Sequence, residues 1–224
     1  MAQRKVQFAE YEHYHIYNRG NSKQVIFREP DDYERFQVLM YLSNSYDRFV
    51  FRDVDENKRS QLDRGELLVR IEAYCLMPNH FHILLTPLVS EGVTQFMQKL
   101  STGYAMYYNR KYERTGSLYE GRFKSQHADS DEYLRYLYSY IHLNPVKLIE
   151  PLWREEGIQN LSRCFEYLKN YEYSSYPDIY IGPASVTRPE QAIVDPVLFA
   201  GYFSSQSEYE RELLTWLTYQ EISP

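Results

Sequence analysis

The chain has 224 residues, with 25 Lys and Arg against 31 Asp and Glu and a formal net charge of −6; that is material for one sizeable core with an appendage. No run of about 18 apolar residues occurs, and the opening Met1-Ala2-Gln3-Arg4-Lys5 has no apolar signal region, so a cytoplasmic protein without a membrane span is expected. The two cysteines, Cys75 and Cys164, lie far apart and form no C-x-x-C pair, so neither a disulfide framework nor a zinc knuckle is indicated.

The acidity is local. Residues 150–224 hold 5 Lys and Arg against 12 Asp and Glu, leaving 20 against 19 for residues 1–149. Two regions are therefore expected, a main domain over 1–149 and an acidic, mostly helical extension over 150–224. Within the first, Lys99, Arg110, Lys111, Arg114, Arg122 and Lys124 face only Glu113 and Glu120. Such a basic surface suits phosphate, although a solvated helix end reads the same way. The 24 tyrosines offer stacking faces for bases, and most of them fit a core equally well.

In chain order, residues 11–19 alternate aromatic or apolar with polar groups up to Gly20-Asn21, which predicts strand one. His13 and His15 share one face of it, as a polar face or as a metal pair. Asn18 and Arg19 at its end could hold a phosphate or a base, or only shape a turn. Pro30 opens a helix with Asp31, Asp32 and Glu34 in its first turn. Residues 52–66 read as a charged, mobile insertion. Strands follow at 67–76 and 80–86, joined as a hairpin by Met77-Pro78-Asn79. A helix from about Ser90 to Tyr112 carries Val93, Phe96, Met97, Leu100, Tyr104 and Tyr107 on one stripe. An extended segment from at least Arg122 makes a fourth strand, and Ser130 caps a third helix. The order β-α-β-β-α-β-α predicts an α+β, ferredoxin-like split βαβ fold: a four-stranded antiparallel sheet with helices on one face, the other left open for a ligand. The extension reads as helices near 159–170 and 207–219, the second opened by a capping box from Ser207 to Glu210, with a Pro-containing connection over 176–196 between them.

His80-Phe81-His82 leads into the apolar run Ile83-Leu84-Leu85. On a strand the two imidazoles project together, and a pair of neutral ring nitrogens suits a divalent cation. Further on, Tyr140 and Asn144 stand four apart near a helix end that Pro145 terminates, so a phenol and a carboxamide share one side. Two readings of Tyr140 stay open: a nucleophile, or one more residue of a core stripe with Tyr133 and Tyr136.

These segments carry a family resemblance. Met77-Pro78-Asn79-His80-Phe81-His82-Ile83-Leu84, followed by Tyr140-Ile141-His142-Leu143-Asn144-Pro145-Val146-Lys147, resembles the REP-associated tyrosine transposases of the single-tyrosine HUH group. Leu118 to Lys124 and Tyr173-Ser174-Ser175-Tyr176 also resemble stretches of that family, so the likeness spans roughly residues 11–180. It implies His80 and His82 as metal ligands for Mg²⁺ or Mn²⁺, Asn144 as an amide-bearing third ligand in a place often filled by Gln, and Tyr140 as the nucleophile. The activity implied is cleavage and rejoining of single-stranded DNA near REP-like hairpins through a 5′-phosphotyrosine. Arg114, Arg122 and Lys124, with Asn18 and Arg19, are candidates for holding the DNA. The partner implied is hairpin DNA, bound by a monomer or a homodimer. Two other readings compete: a hairpin DNA or RNA binding protein without catalysis, and a water-using phosphodiesterase, which the scarcity of carboxylates near the histidines disfavours. The tail beyond residue 180 has no counterpart in the resemblance; it could occlude the DNA groove, bind a partner or cover a sheet edge.

Overall fold

The alternation that predicts strand one sorts its side chains onto two faces. In the computed structural model, β1 (His13–Arg19) buries Tyr14 and Ile16 on one face and carries His13, His15 and Tyr17 on the other. The structure describes residues 7–47, 49, 62–179, 189–195 and 197–218. Residues 52–61 of the charged insertion, with residues 180–188 and 196 of the Pro-containing connection, lie outside them.

The first helix, α1 (Pro30–Ser43), starts where Pro30 predicts, with Glu29 and Asp32 forming a capping box across its first turn. Asp32 is fully buried and collects donors: the Arg28 N–H at 2.8 Å and the hydroxyls of Tyr112 at 2.7 Å and Tyr107 at 3.0 Å, with the Lys111 ammonium at 2.9 Å. Burial pushes its pKa up, but the bonds from Tyr112, Lys111, Arg28 and Tyr107 outweigh it, and the carboxyl stays below its ordinary range. This buried charge fastens the last turn of α2 (Gly92–Lys111) to the first turn of α1.

β2 (Val69–Met77) and β3 (His80–Pro87) form the predicted hairpin. Its turn is tied down because the Ile26 and Phe27 N–H groups donate to the Pro78 carbonyl at 2.8 and 3.0 Å. β4 (Lys124–Ala128) pairs with β1 and starts later than the sequence suggests. The residues before it instead bridge the end of β1, with the Asn21 N–H on the Leu118 carbonyl and the Glu120 N–H on the Arg19 carbonyl. The sheet order is β2-β3-β1-β4 with every pair antiparallel, the predicted ferredoxin-like plan.

Helices α1 and α2 cover one face, where Phe36, Phe96 and Tyr104 join Phe81, Ile83 and Leu85 in a single core. Phe81 is wholly buried there, and that burial stabilises the fold by about 2 kcal/mol. The opposite face is open only in part. α3 (Asp131–Leu143), capped by the Ser130 hydroxyl accepting from the Tyr133 N–H, packs Leu137, Tyr138 and Ile141 over Ala73, Cys75 and Leu84. The extension supplies α4 (Trp153–Glu156), α5 (Leu161–Lys169), α6 (Val197–Tyr202) and α7 (Gln206–Thr218), which share that second core through Cys164, Leu168, Phe199 and Tyr209. The N-cap of α7 is Ser205, whose hydroxyl accepts from the Glu208 N–H, rather than Ser207. The end of this face around Tyr17, His80 and Tyr140 is accessible among the described residues, all three being partly exposed.

Two polar devices hold α3 down. A register shift between Ile71 and Ala73 turns the fully buried Glu72 toward α3, where it accepts from the Tyr138 hydroxyl at 3.1 Å and the Thr86 hydroxyl at 2.5 Å and meets His13 Nδ1 at 2.9 Å. His142, also fully buried, lies between the Tyr209 hydroxyl at 2.6 Å and the Ser175 hydroxyl at 2.8 Å. Ser175 is fixed because Tyr173 to Ser175 pair along the free edge of β2, through the Leu76 and Ser175 N–H groups. Among the described residues no helix is long and apolar enough to cross a membrane.

Candidate active site

His80 and His82 project from the central strand β3 onto the accessible end of the second face, with Phe81 in the core behind them. Their rings lie edge to face, centroids 5.1 Å apart. Each has its Nδ1 engaged. His80 Nδ1 lies 2.6 Å from Asn79 Oδ1, and the orientation of that amide is set by its Nδ2 donating to the Lys23 carbonyl at 3.3 Å. An amide oxygen only accepts, so the His80 proton sits on Nδ1 and Nε2 keeps its lone pair. His82 Nδ1 lies 2.8 Å from Nε2 of His15, a β1 residue on the same face. Burial drives the pKa of both ligand candidates down, His80 to about 4 with help from the charges of Lys147 and Arg19, and His82 well below its ordinary value. At neutral pH both rings are uncharged, the form that binds metal.

The last full turn of α3 brings up Tyr140, whose ring stands edge-on to His82 at 5.4 Å and to His15 at 5.9 Å. Asn144, at the point where α3 gives way to a 3₁₀ turn through Pro145, is buried and donates its Nδ2 to the Tyr140 carbonyl at 2.8 Å. That bond satisfies a carbonyl left open at the helix end and leaves the amide oxygen as the donor atom Asn144 can offer a cation. His80 and His82 therefore meet the Tyr140 ring at one end of one face, and Asn144 is tied to the Tyr140 backbone one turn further on. Two neutral imidazoles and an amide oxygen fit a hexacoordinate divalent ion that keeps waters in its remaining positions. Among the described residues no cluster of three or more His, Cys, Asp or Glu side chains could hold a metal, so a third side-chain donor beside the two imidazoles would be of another type, such as the Asn144 amide.

The DNA candidates divide. Lys124 stands at the rim, its Nζ 6.0 Å from the Tyr17 ring, and Arg122 is exposed in the approach to β4. Arg19 is committed to a two-pronged ion pair with Glu120, at 3.0 and 2.8 Å. Asn18 is buried, with its Nδ2 on the Gly121 carbonyl and its Oδ1 accepting from the Arg19 N–H, so it closes the end of β1, the turn-shaping alternative for this residue. Arg114 lies over the ring of Tyr108, a residue of the core under α1 and α2, with its guanidinium 5.5 Å from the ring centre.

Two residues at the site escaped the sequence reading, and a third was read there only as a partner of His13. Arg154 of α4 has its guanidinium 5.7 Å from the Tyr140 ring centre. Burial raises the Tyr140 pKa, and Arg154 pulls the other way. Lys147, in the turn after α3, has its own pKa lowered by burial and then by Arg154. The third, His15, had a signal: in the predicted plan β1 lies next to β3, which places the two His-x-His pairs on adjacent strands.

A sequence profile of the family described as "Transposase IS200 like" matches residues 11–144. The chain belongs to the IS200-like transposase family. Among solved structures, that of a REP-associated tyrosine transposase bound to a REP hairpin superposes with a TM-score of 0.51 at 12% identity, covering 81% of this chain and 87% of that one. A candidate transposase from Deinococcus radiodurans R1 aligns with a TM-score of 0.35 at 14% identity, over 62% of this chain and 95% of that one. No curated protein matches by sequence. The family match spans β1 through Asn144, so the whole candidate set of this IS200-like transposase lies inside it.

Proposed function

We propose that this IS200-like transposase is a metal-dependent single-stranded DNA endonuclease and strand transferase that cuts near hairpin-forming repeats through a 5′-phosphotyrosine. The observation that carries the reading is Tyr140, held by α3 edge-on to His82 and beside a buried Asn144. Binding alone has no use for that combination. The hairpin in the fold-related structure supports the substrate class.

His80 Nε2, His82 Nε2 and the Asn144 amide oxygen would hold Mg²⁺ or Mn²⁺. When bound, the ion would polarise the scissile phosphate and offset charge on its oxygens. Tyr140 attacks phosphorus through its phenol oxygen; the P–O bond to Tyr140 forms, the P–O3′ bond breaks, and O3′ leaves and takes up a proton. The phenol enters protonated because burial holds its pKa up, and it releases its proton to solvent as the bond forms. Arg154 favours the phenolate character that develops, and Lys147 with Lys124 neutralises phosphates flanking the cut. The reverse reaction with another 3′-hydroxyl rejoins strands.

The test is incubation with Mn²⁺ and labelled single-stranded hairpins from repetitive extragenic elements, with wild type and Tyr140→Phe compared on a denaturing gel. A metal-dependent covalent adduct that vanishes in Tyr140→Phe is expected. Adduct persisting in the variant would move the nucleophile to a neighbour such as Tyr136. Hairpin retention without adduct would favour a non-catalytic binding protein, and cleavage without adduct a hydrolase.

A further inference from the structure

His15 is 5% exposed and packed between rings, 5.0 Å from Tyr17 and 5.0 Å from His82, both nearly parallel to it. Its Nε2 is spent on His82 Nδ1 at 2.8 Å, so this nitrogen is not free to join a metal set itself. Two facing imidazole nitrogens at that distance share one proton, and its owner decides what His82 can do. If His15 held it, His82 Nδ1 would accept and the remaining His82 proton would cap Nε2. If His82 holds it, Nε2 is bare. His80 already shows the second arrangement with an acceptor that cannot donate, Asn79 Oδ1.

We propose that His15 is the positioning residue of His82: by accepting the Nδ1 proton it selects the tautomer whose Nε2 can take a divalent cation and fixes the ring's rotation. The inference rests on the metal-binding reading above and deepens it. Ligand histidines generally give their other N–H to a fixed acceptor, and loss of such a partner weakens metal binding by about 10- to 100-fold. The acceptor here is unusual in being a second imidazole, which can also donate. The buried setting and the stack with Tyr17 leave little room for water to take its place.

The experiment uses the full chain with ¹⁵N-labelled histidine. Long-range ¹H–¹⁵N correlation in the metal-free protein reads which nitrogen of His82 carries the proton, and Mn²⁺ titration reads affinity. Wild type is expected to show His82 as the Nδ1–H tautomer. In His15→Phe, which fills the space without an acceptor, the two tautomers should mix and Mn²⁺ affinity should fall by about 10- to 100-fold. In His15→Gln, whose amide oxygen accepts, the tautomer and most of the affinity should return. A wild-type His82 protonated on Nε2, or an unchanged tautomer and unchanged affinity in His15→Phe, would overturn the proposal. So would His15 nitrogen signals that shift as those of a direct ligand on adding Mg²⁺. If wild type binds no Mn²⁺ while the tautomer still responds to His15→Phe, the metal-binding reading fails separately from the hydrogen bond.

Discussion

One sheet face carries the His-x-His pattern twice on adjacent strands, and the two copies do opposite things. At one end, His13 lies 2.9 Å from the buried Glu72 carboxylate, whose hydrogen bond raises the His13 pKa against the pull of burial. At the other, the acceptors of His80 and His82 are an amide oxygen and a neutral ring. Burial there goes unopposed, and both imidazoles stay uncharged. His15 goes with the second end, its pKa lowered by burial to about 4. Strand period decides which face a histidine occupies; the charge of its nearest acceptor decides whether it becomes half of an ion pair or a ligand.

The largest expected effect separates the two pairs. His82→Ala should lower metal-dependent cleavage about a thousandfold, since several kcal/mol of charge stabilisation depend on the ion it holds. His13→Ala should leave the cleavage rate nearly unchanged but lower stability by about 1–3 kcal/mol, because buried Glu72 loses a partner. Cleavage rates and urea denaturation on the same samples check both. Equal loss of cleavage in two folded variants would make the pairs one site and dissolve the comparison.

Acid should produce the next largest effect. Imidazoles whose folded pKa lies below the unfolded value near 6.5 are protonated first in the unfolded chain, so stability falls as pH drops through that window. For His15, at about 4, His142, at about 3, and His82, well below its ordinary value, burial sets that direction. Going from pH 6.5 to 5.5 should remove on the order of 1 kcal/mol for each, and as much for His80, also at about 4, so about 4 kcal/mol in all. His13 runs the other way: its raised folded pKa contributes stability that is fully present below the unfolded value and fades as pH climbs through the folded one. Urea midpoints at stepped pH should drop steeply on the acid side, and Glu72→Gln should flatten the shallower alkaline decline. A flat acid limb would mean that these imidazoles are already charged in the fold.

How far the sequence reveals this depends on the range of the interactions. β3 was legible because His80 to Leu85 combine a period of two with an apolar run, and the α3 end because Pro145 follows Asn144. The spacing of Tyr140 and Asn144 is local as well, and the structure joins them by one bond. The His15–His82 contact was half legible: strand adjacency follows from the plan, but the pairing of Tyr17 with His82 is a register that periodicity alone does not set. The partner of Asn18, the Gly121 carbonyl, lies more than a hundred residues away, so local sequence shows the Asn-Arg-Gly turn but not what the amide holds. The extension's α5 and α7 could be read from their patterns, yet the packing of α7 on α3 and of α5 on the turn after α3 could not. The face the sequence left open is covered in large part by α3 itself, packed over Ala73, Cys75 and Leu84.

The smallest expected effect extends the comparison to the packing of α7 on α3. His142 is two residues from Tyr140 on the same helix, but its ring points into the second core, where the Tyr209 hydroxyl of α7 meets Nδ1 at 2.6 Å. By the logic of the two pairs, neutral acceptors and complete burial leave it uncharged and structural. Tyr209→Phe keeps the ring and deletes the hydroxyl, so one buried imidazole nitrogen loses its partner at a cost of about 1–2 kcal/mol. The ion pair of Arg135 with Glu212 and the edge contact of Trp216 on Tyr136 still hold α7 against α3. Urea denaturation should therefore register the loss while the cleavage rate of the folded variant stays within about twofold, as for a contact remote from the reacting atoms. A tenfold fall in cleavage with little change in stability would show instead that α7 sets where Tyr140 stands. The extension would then belong to the catalytic machinery and not only to the core beneath it.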